Sequence, residues 1–319
     1  MFDLVTVGHF VMDLILSPRI EYPKITVGGP AAYVSLAARK LGARVSVISK
    51  VGKDFENHLS WLRENEVDLT YTQIIENAHT TSFTLTYNNG NREIQLKTLG
   101  PRILPSDIPS FLRAKVIHLA PVANEFSPQI TQILREKATL LSIDPQGFLR
   151  KFSKIGNMKM KSLEKMGFLE DCDIFKSSIT EIKAMTGKHN LETAIGTIKE
   201  TGVNIVLVTM GKRGALAHFD NGYYHIPPCK ARPIKDSTGA GDAFIGAFLA
   251  EYIQDNDPLW CCCVGSAAAS FTIEEVGSEG FGDRKEVYGR ATKIYEKGIK
   301  PLSHKELVRD LFWEESAKV

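Results

Sequence analysis

Short apolar runs alternate with amphipathic stretches along most of this chain. Strand-like runs fall at Leu4–Gly8, Val45–Ser49, Val116–Leu119, Leu140–Ile143, Asp173–Phe175 and Asn204–Thr209. Helical spacing fills the intervals at Ala31–Leu41, Phe55–Asn65, Glu125–Glu136 and Leu191–Thr201. That alternation predicts a largely parallel sheet covered by helices. One region departs from it. Thr80–Tyr87 is rich in β-branched and aromatic residues, Asn89-Gly90 follows as a hairpin signal, and Arg92–Leu96 resumes the strand pattern. Together with Val11–Leu16 these stretches predict a small antiparallel sheet from segments near 10–17 and 80–99. Such a sheet is too small to stand alone and must pack on the main body. No repeat, low-complexity tract or Pro/Ser-rich linker divides the chain, so residues 1–319 read as a single domain.

The strongest chemical signal is Asp236-Ser237-Thr238-Gly239-Ala240-Gly241-Asp242, which opens the apolar run Ala243–Ala250, a buried helix. Gly239 and Gly241 let the backbone turn tightly and approach a ligand closely. The unpaired N–H groups of the helix's first turn, with its dipole, attract negative charge. Asp242 lies inside this anion-attracting turn. A carboxylate beside an oxyanion site is what phosphorylation of an alcohol needs, with donors for the moving phosphoryl group and a base for the hydroxyl. The bland alternative is a glycine-rich helix cap.

Upstream, Gly28-Gly29-Pro30 feeds a helix that ends at Leu41-Gly42, followed by a strand and Val51-Gly52-Lys53-Asp54. Pro30 suits a first helical position, and the glycine turn exposes N–H groups to a ligand without side-chain bulk. Phe175-Lys176-Ser177-Ser178-Ile179-Thr180-Glu181 precedes Thr186-Gly187, and the strand Val206–Thr209 runs into the turn Gly211-Lys212-Arg213-Gly214.

These motifs, in this order from Leu4 to about Gly277, resemble the PfkB (ribokinase-like) carbohydrate kinases. The resemblance implies a ribokinase-like three-layer α/β/α fold with a mostly parallel central sheet and a small antiparallel β lid. It implies ATP- and Mg²⁺-dependent phosphorylation of a small polyol or sugar, with Asp242 as base and the N–H groups of Gly239, Ala240 and Gly241 as the anion hole. It further implies that Asp13, Gly28, Gly29 and Tyr33 meet the acceptor and that Ser178, Thr209, Gly211 and Gly214 meet the nucleotide. Glu181 would act on magnesium through water; a monovalent cation is left open. In many relatives the lid is the dimer contact, so the resemblance implies a homodimer, against the alternative of a plain edge hairpin.

Two positions depart from the family pattern, Tyr33 and Ser178, each where relatives carry Asn. Inositol kinases of this superfamily similarly have an aromatic at the first and Lys-x-Ser-x-x-Glu at the second, so the resemblance points to myo-inositol or another cyclic polyol. A nucleoside kinase is the alternative, with Tyr33 stacked on a base, and another sugar kinase of this fold a further one. A non-catalytic sugar or nucleotide sensor has no need of Asp242.

Composition narrows the rest. The net charge of +2 from 39 basic and 37 acidic residues supplies no argument for a nucleic-acid or membrane partner. No apolar run approaches a membrane span, and the start at Phe2–Gly8 lacks a signal peptide's basic region, so the expectation is cytoplasmic. Cys261, Cys262 and Cys263 point about 100° apart on a helix and cannot converge on one metal, which leaves packing as their role. The eight histidines include no His-Glu-x-x-His pair. There is no Gly-x-x-x-x-Gly-Lys-Ser/Thr loop, and Phe244 occupies the place of the third glycine of a dinucleotide fingerprint.

Overall fold

In the computed structural model, which describes residues 1–88, 91–163, 165–303 and 306–307, the apolar runs pair side by side. The predicted turn at Asn89-Gly90 lies outside the described residues. In chain order the elements are β1 (Phe2–Val7), β2 (Val11–Leu16), β3 (Lys24–Gly28), α1 (Pro30–Lys40), β4 (Val45–Gly52), α2 (Glu56–Glu64), β5 (Thr72–Ile75), β6 (Thr81–Asn88) and β7 (Asn91–Thr98). Then come β8 (Ala114–Leu119), α3 (Ile130–Arg135), β9 (Ala138–Ile143), α4 (Gln146–Leu149), β10 (Arg150–Phe152), β11 (Met158–Met160), β12 (Ile174–Ser178), α5 (Ile179–Thr186) and α6 (Leu191–Lys199). The last third holds β13 (Ile205–Thr209), β14 (Ala215–Phe219), β15 (Gly222–Ile226), α7 (Ala240–Tyr252), α8 (Pro258–Thr272) and α9 (Arg284–Tyr295).

The large sheet has the order β15-β14-β13-β12-β9-β8-β1-β4-β5. It is parallel from β13 to β5, with β14 and β15 added antiparallel at one edge. Alternate residues of β1 face opposite layers. Leu4 joins the core under α1, α2, α7, α8 and α9, whereas Val5 and Val7 join the core under α3, α5 and α6. The order reverses between β1 and β8, and ligands of such sheets bind at the carboxyl ends of the strands near that reversal.

Helix α7 is apolar on nearly every face because it lies between neighbours rather than at the surface. A methyl at Gly246 would fall 2.4 Å from the Val34 carbonyl oxygen. Glycine there lets α7 touch α1, which fixes the start of α7 against Tyr33. The Cys261–Cys263 run is wholly buried in α8, a packing role as expected, and Asp257 caps that helix through the Leu259 N–H at 3.3 Å.

The helix expected over Glu125–Glu136 forms only from Ile130 to Arg135. Glu125 is fully buried and accepts N–H groups of His9, Val122 and Ala123, while Asn124 takes a left-handed φ of 59°. The chain therefore wraps around this carboxylate before the helix can start.

The small sheet runs β3-β2-β6-β7. Pairs β2–β3 and β6–β7 are antiparallel, and the central β2–β6 pair that joins them is parallel. Strand β3 was not legible in the apolar pattern. Val11, Ile15, Phe83 and Leu85 seat the sheet on Val122, Ala123 and Val276. No helix among the described residues is long and apolar enough to cross a membrane.

Candidate active site

Helix α7 starts from Gly239, whose φ of 74° is left-handed. A side chain here would also put its Cβ 2.2 to 2.4 Å from the Tyr33 ring, so only glycine allows that ring to lie under the turn. Because the helix begins at Ala240, the first-turn N–H groups are those of Ala240, Gly241 and Asp242, with the Gly239 N–H just before them.

The Asp242 carboxylate accepts from Gln146 Nε2 at 3.4 Å and stands 3.9 Å from Lys176 Nζ. Burial, opposed by the Lys176 charge and assisted by Asp144, raises its pKa to about 6. It is thus mainly ionised at neutral pH. Gln146 is itself held by Arg150, whose Nη2 donates to Gln146 Oε1 at 2.6 Å and whose Nη1 donates to the Val122 carbonyl at 3.1 Å.

Asp13 projects from β2 and is 4 % exposed. Gly28 lies directly behind it, and a methyl there would fall 1.9 Å from Asp13 Oδ2. Burial, opposed by Arg92 and reinforced by Asp236, raises the Asp13 pKa to about 7. Both carboxylates therefore lose their charge as pH falls through 7 and then 6. The profile of kcat/KM, which reports ionisations of the free enzyme, is expected to climb between pH 5 and 8 in two overlapping steps. Asp13→Asn should leave only the lower step, and a flat wild-type profile over that range would contradict both assignments.

A cavity of about 1170 Å³ connects these groups to a second region. It is lined by Asp13, Gly29, Tyr33, Gly239, Ala240, Gly241 and Asp242 toward the small sheet, and by Ser178, Glu181, Thr209, Gly211 and Gly214 toward β12 and β13. Of the expected site residues only Gly28 lies off the wall, behind Asp13. The volume accommodates a nucleotide and a small acceptor together. Ala215, Pro228, Ala269 and Ile273 add apolar lining to the same cavity.

Ser178 and Glu181 form a capping box at the start of α5. The Glu181 N–H donates to Ser178 Oγ at 3.2 Å and the Ser178 N–H donates to Glu181 Oε2 at 2.7 Å. Tyr33 is 1 % exposed, and its buried hydroxyl has no hydrogen-bond partner among the described residues. Burial, then the charge of Asp13, holds its pKa well above the ordinary phenol value. The small sheet reaches the anion turn through Tyr87, whose hydroxyl donates to Asp236 Oδ1 at 2.7 Å and pairs with Thr238 Oγ1 at 2.8 Å.

Sequence reasoning assigned no role to Asp144, Gln146, Arg150 or Tyr87, and Lys176 figured only as a letter of its motif. One signal was available. Asp144-Pro145-Gln146 directly follows an apolar strand, at a carboxyl end, where such sheets collect their chemistry.

Residues 1–282 match the description pfkB family carbohydrate kinase. The chain is similar to the cytidine kinase of Thermococcus kodakarensis, with 26 % identity over 87 % of this chain and 98 % of that protein. It is similar to the nucleoside kinase of Methanothermobacter thermautotrophicus, with 28 % identity over 87 % of this chain and 91 % of that protein. Its fold matches that of a pyrophosphate-dependent kinase in the ribokinase family, solved with a pyrophosphate analog and myo-inositol. That match has a TM-score of 0.76 and 23 % identity, over 90 % of this chain and 99 % of that one.

Proposed function

Because this chain belongs to the pfkB family of carbohydrate kinases, and so is a phosphotransferase with an alcohol group as acceptor, we propose that it transfers the γ-phosphoryl group of ATP to a hydroxyl of a small cyclic polyol such as myo-inositol. The observation that carries this reading is the set of groups around the acceptor end. Asp13 accepts hydrogen bonds, Arg150 donates them, Gln146 does both, and Asp242 faces the same space. A polyol offers hydroxyls and nothing else, and this set pairs with hydroxyls. The Tyr33 ring, which the nucleoside alternative would stack on a base, is buried under Gly239.

In the reaction the acceptor oxygen bonds to phosphorus while the bond from phosphorus to the donor's bridging oxygen breaks. Asp242 takes the hydroxyl proton. The first-turn N–H groups of α7 meet the charge that develops on the phosphoryl oxygens. Thr209, Gly211 and Gly214 are suited to the nucleotide. Among the described residues no three His, Cys, Asp or Glu side chains gather as a metal cage. Glu181 would hold a magnesium ion through water, and such an ion would supply positive charge against the donor's phosphates. Glu181→Gln keeps an acceptor for the capping box, so the fold should persist while the Mg²⁺ concentration for half-maximal rate rises. An unchanged magnesium titration would reduce Glu181 to its capping role.

The cytidine and nucleoside kinase relatives favour a nucleoside acceptor as a second reading, with Phe83, Leu85 and Ile94 as an apolar wall for a base. Calorimetric titration separates the two. Heat from myo-inositol that disappears in Asp13→Asn supports the polyol; heat from cytidine alone, varying with the base, would replace it.

A further inference from the structure

Below the first turn of α7 lies a buried ion pair. Lys176 of β12 donates to Asp144 Oδ2 at 2.5 Å, with side-chain exposures of 6 % and 0 %. Phe175 pairs with Ile143 across β12 and β9, so the residue after each, Lys176 on β12 and Asp144 just past β9, arrives at the same level of the sheet. Burial works against the ammonium, but Asp144, Asp242 and Glu181 hold its pKa above the ordinary lysine value.

Stability alone does not account for such a pair. Desolvating two charges costs about as much as their attraction returns, and well-packed apolar residues of similar volume are often as good or better. The surroundings supply a different reason. A methyl on Gly241 would lie 2.9 Å from Lys176 Nζ, so the ammonium rests against the turn that faces the transferring group. Asp242 is a second carboxylate close to it, 3.9 Å away. With Asp144 gone, Lys176 would be drawn onto Asp242.

We propose that Asp144 is a positioning residue for phosphoryl transfer: its carboxylate holds Lys176 against Gly241, so that the ammonium faces the transferring phosphoryl group instead of pairing with the base. This rests on Asp242 being that base. As the acceptor oxygen bonds to phosphorus and the bridging bond breaks, Lys176 meets the charge on the phosphoryl oxygens and Asp242 remains able to take the proton. Asp144 also accepts the Gln146 N–H at 3.0 Å, and Gln146 in turn contacts Asp242. Both groups beside the base are therefore held by one buried carboxylate.

The charged groups facing Asp242 are Lys176 from β12, Asp144 after β9, Arg150 from β10, Glu181 from α5 and, across the cavity, Asp13 from β2. Asp144→Asn keeps an oxygen for the Gln146 N–H but removes the charge that holds Lys176. It should lower kcat about 100-fold, the scale of losing one oriented group that stabilises the transition state. The acid limb of its kcat/KM profile should move to lower pH, because Asp144 no longer raises the Asp242 pKa and Lys176 closes on it. Lys176→Met should lower kcat similarly but move the acid limb to higher pH. A general packing defect would not produce opposite shifts.

The double variant K176M/D144N removes both charges and should fold even if Asp144→Asn alone does not. Its kcat should match that of Lys176→Met within about 2-fold, because two residues acting through one contact are not additive. A further tenfold loss on adding Asp144→Asn to Lys176→Met, or an unshifted acid limb in Asp144→Asn, would overturn the proposal. Near-normal turnover in Asp242→Asn would remove the base assignment beneath it. A crippled Asp242→Asn beside a normal Asp144→Asn would overturn the positioning role alone.

Discussion

Asp242→Asn is expected to lower kcat by about 100-fold or more while nucleotide binding stays within a few-fold of wild type. The amide keeps the size of the side chain, and its oxygen can still accept from Gln146 Nε2. It cannot take the acceptor's proton. With its pKa raised to about 6, Asp242 is charged at neutral pH yet more basic than an ordinary aspartate. The substitution leaves the first-turn N–H groups in place, so donor affinity should survive. Steady-state rates together with direct nucleotide titration check it, and near-wild-type turnover would take Asp242 out of the reaction.

Gly28→Ala should be nearly as damaging to acceptor recognition as loss of Asp13 itself. The added methyl would fall 1.9 Å from Asp13 Oδ2 and must push the carboxylate from its place. Gly28 is not at a positive φ, so backbone strain does not confuse the result. A hydrogen bond to a charged group contributes about 1.5–3 kcal/mol, which corresponds to a loss of about 10-fold to 150-fold in kcat/KM for the acceptor. The KM for ATP should hardly change. If Gly28→Ala and Asp13→Asn differ widely, with Gly28→Ala close to wild type, then the carboxylate is not where recognition occurs.

The parts of the fold that read clearly in the sequence are those whose signal is local. The strands expected at Leu4–Gly8, Val116–Leu119, Leu140–Ile143 and Asn204–Thr209 are short apolar runs, and each forms, the first ending at Val7. The Asp236–Asp242 turn carries its chemistry in consecutive positions, so its place at the start of a helix could be read directly. Two kinds of feature stayed hidden. Strand β3 has only Ile25 and Val27 as apolar positions and exists because β2 offers it a partner. The shortened helix at Ile130 depends on Glu125 collecting N–H groups from His9, Val122 and Ala123, one of them more than a hundred residues away. The same holds at the site. Asp144, Gln146, Arg150 and Lys176 converge on Asp242 from the end of β9, α4, β10 and β12, a juxtaposition made by sheet order rather than by spacing along the chain. At Tyr33 the departure from Asn was visible in the sequence, but that its ring lies under Gly239 while the residue also lines the cavity follows only from the fold.

The central claim, transfer of a phosphoryl group to a ring hydroxyl of a polyol, is tested most directly by ³¹P NMR. The reaction would contain purified protein with Mg·ATP and an equimolar mixture of myo-inositol, ribose and cytidine. The expected result is one new phosphomonoester resonance, coupled to a ring proton of inositol and growing one-for-one with ADP. A resonance coupled instead to the 5′ methylene protons of cytidine, with no inositol phosphate formed, would contradict it.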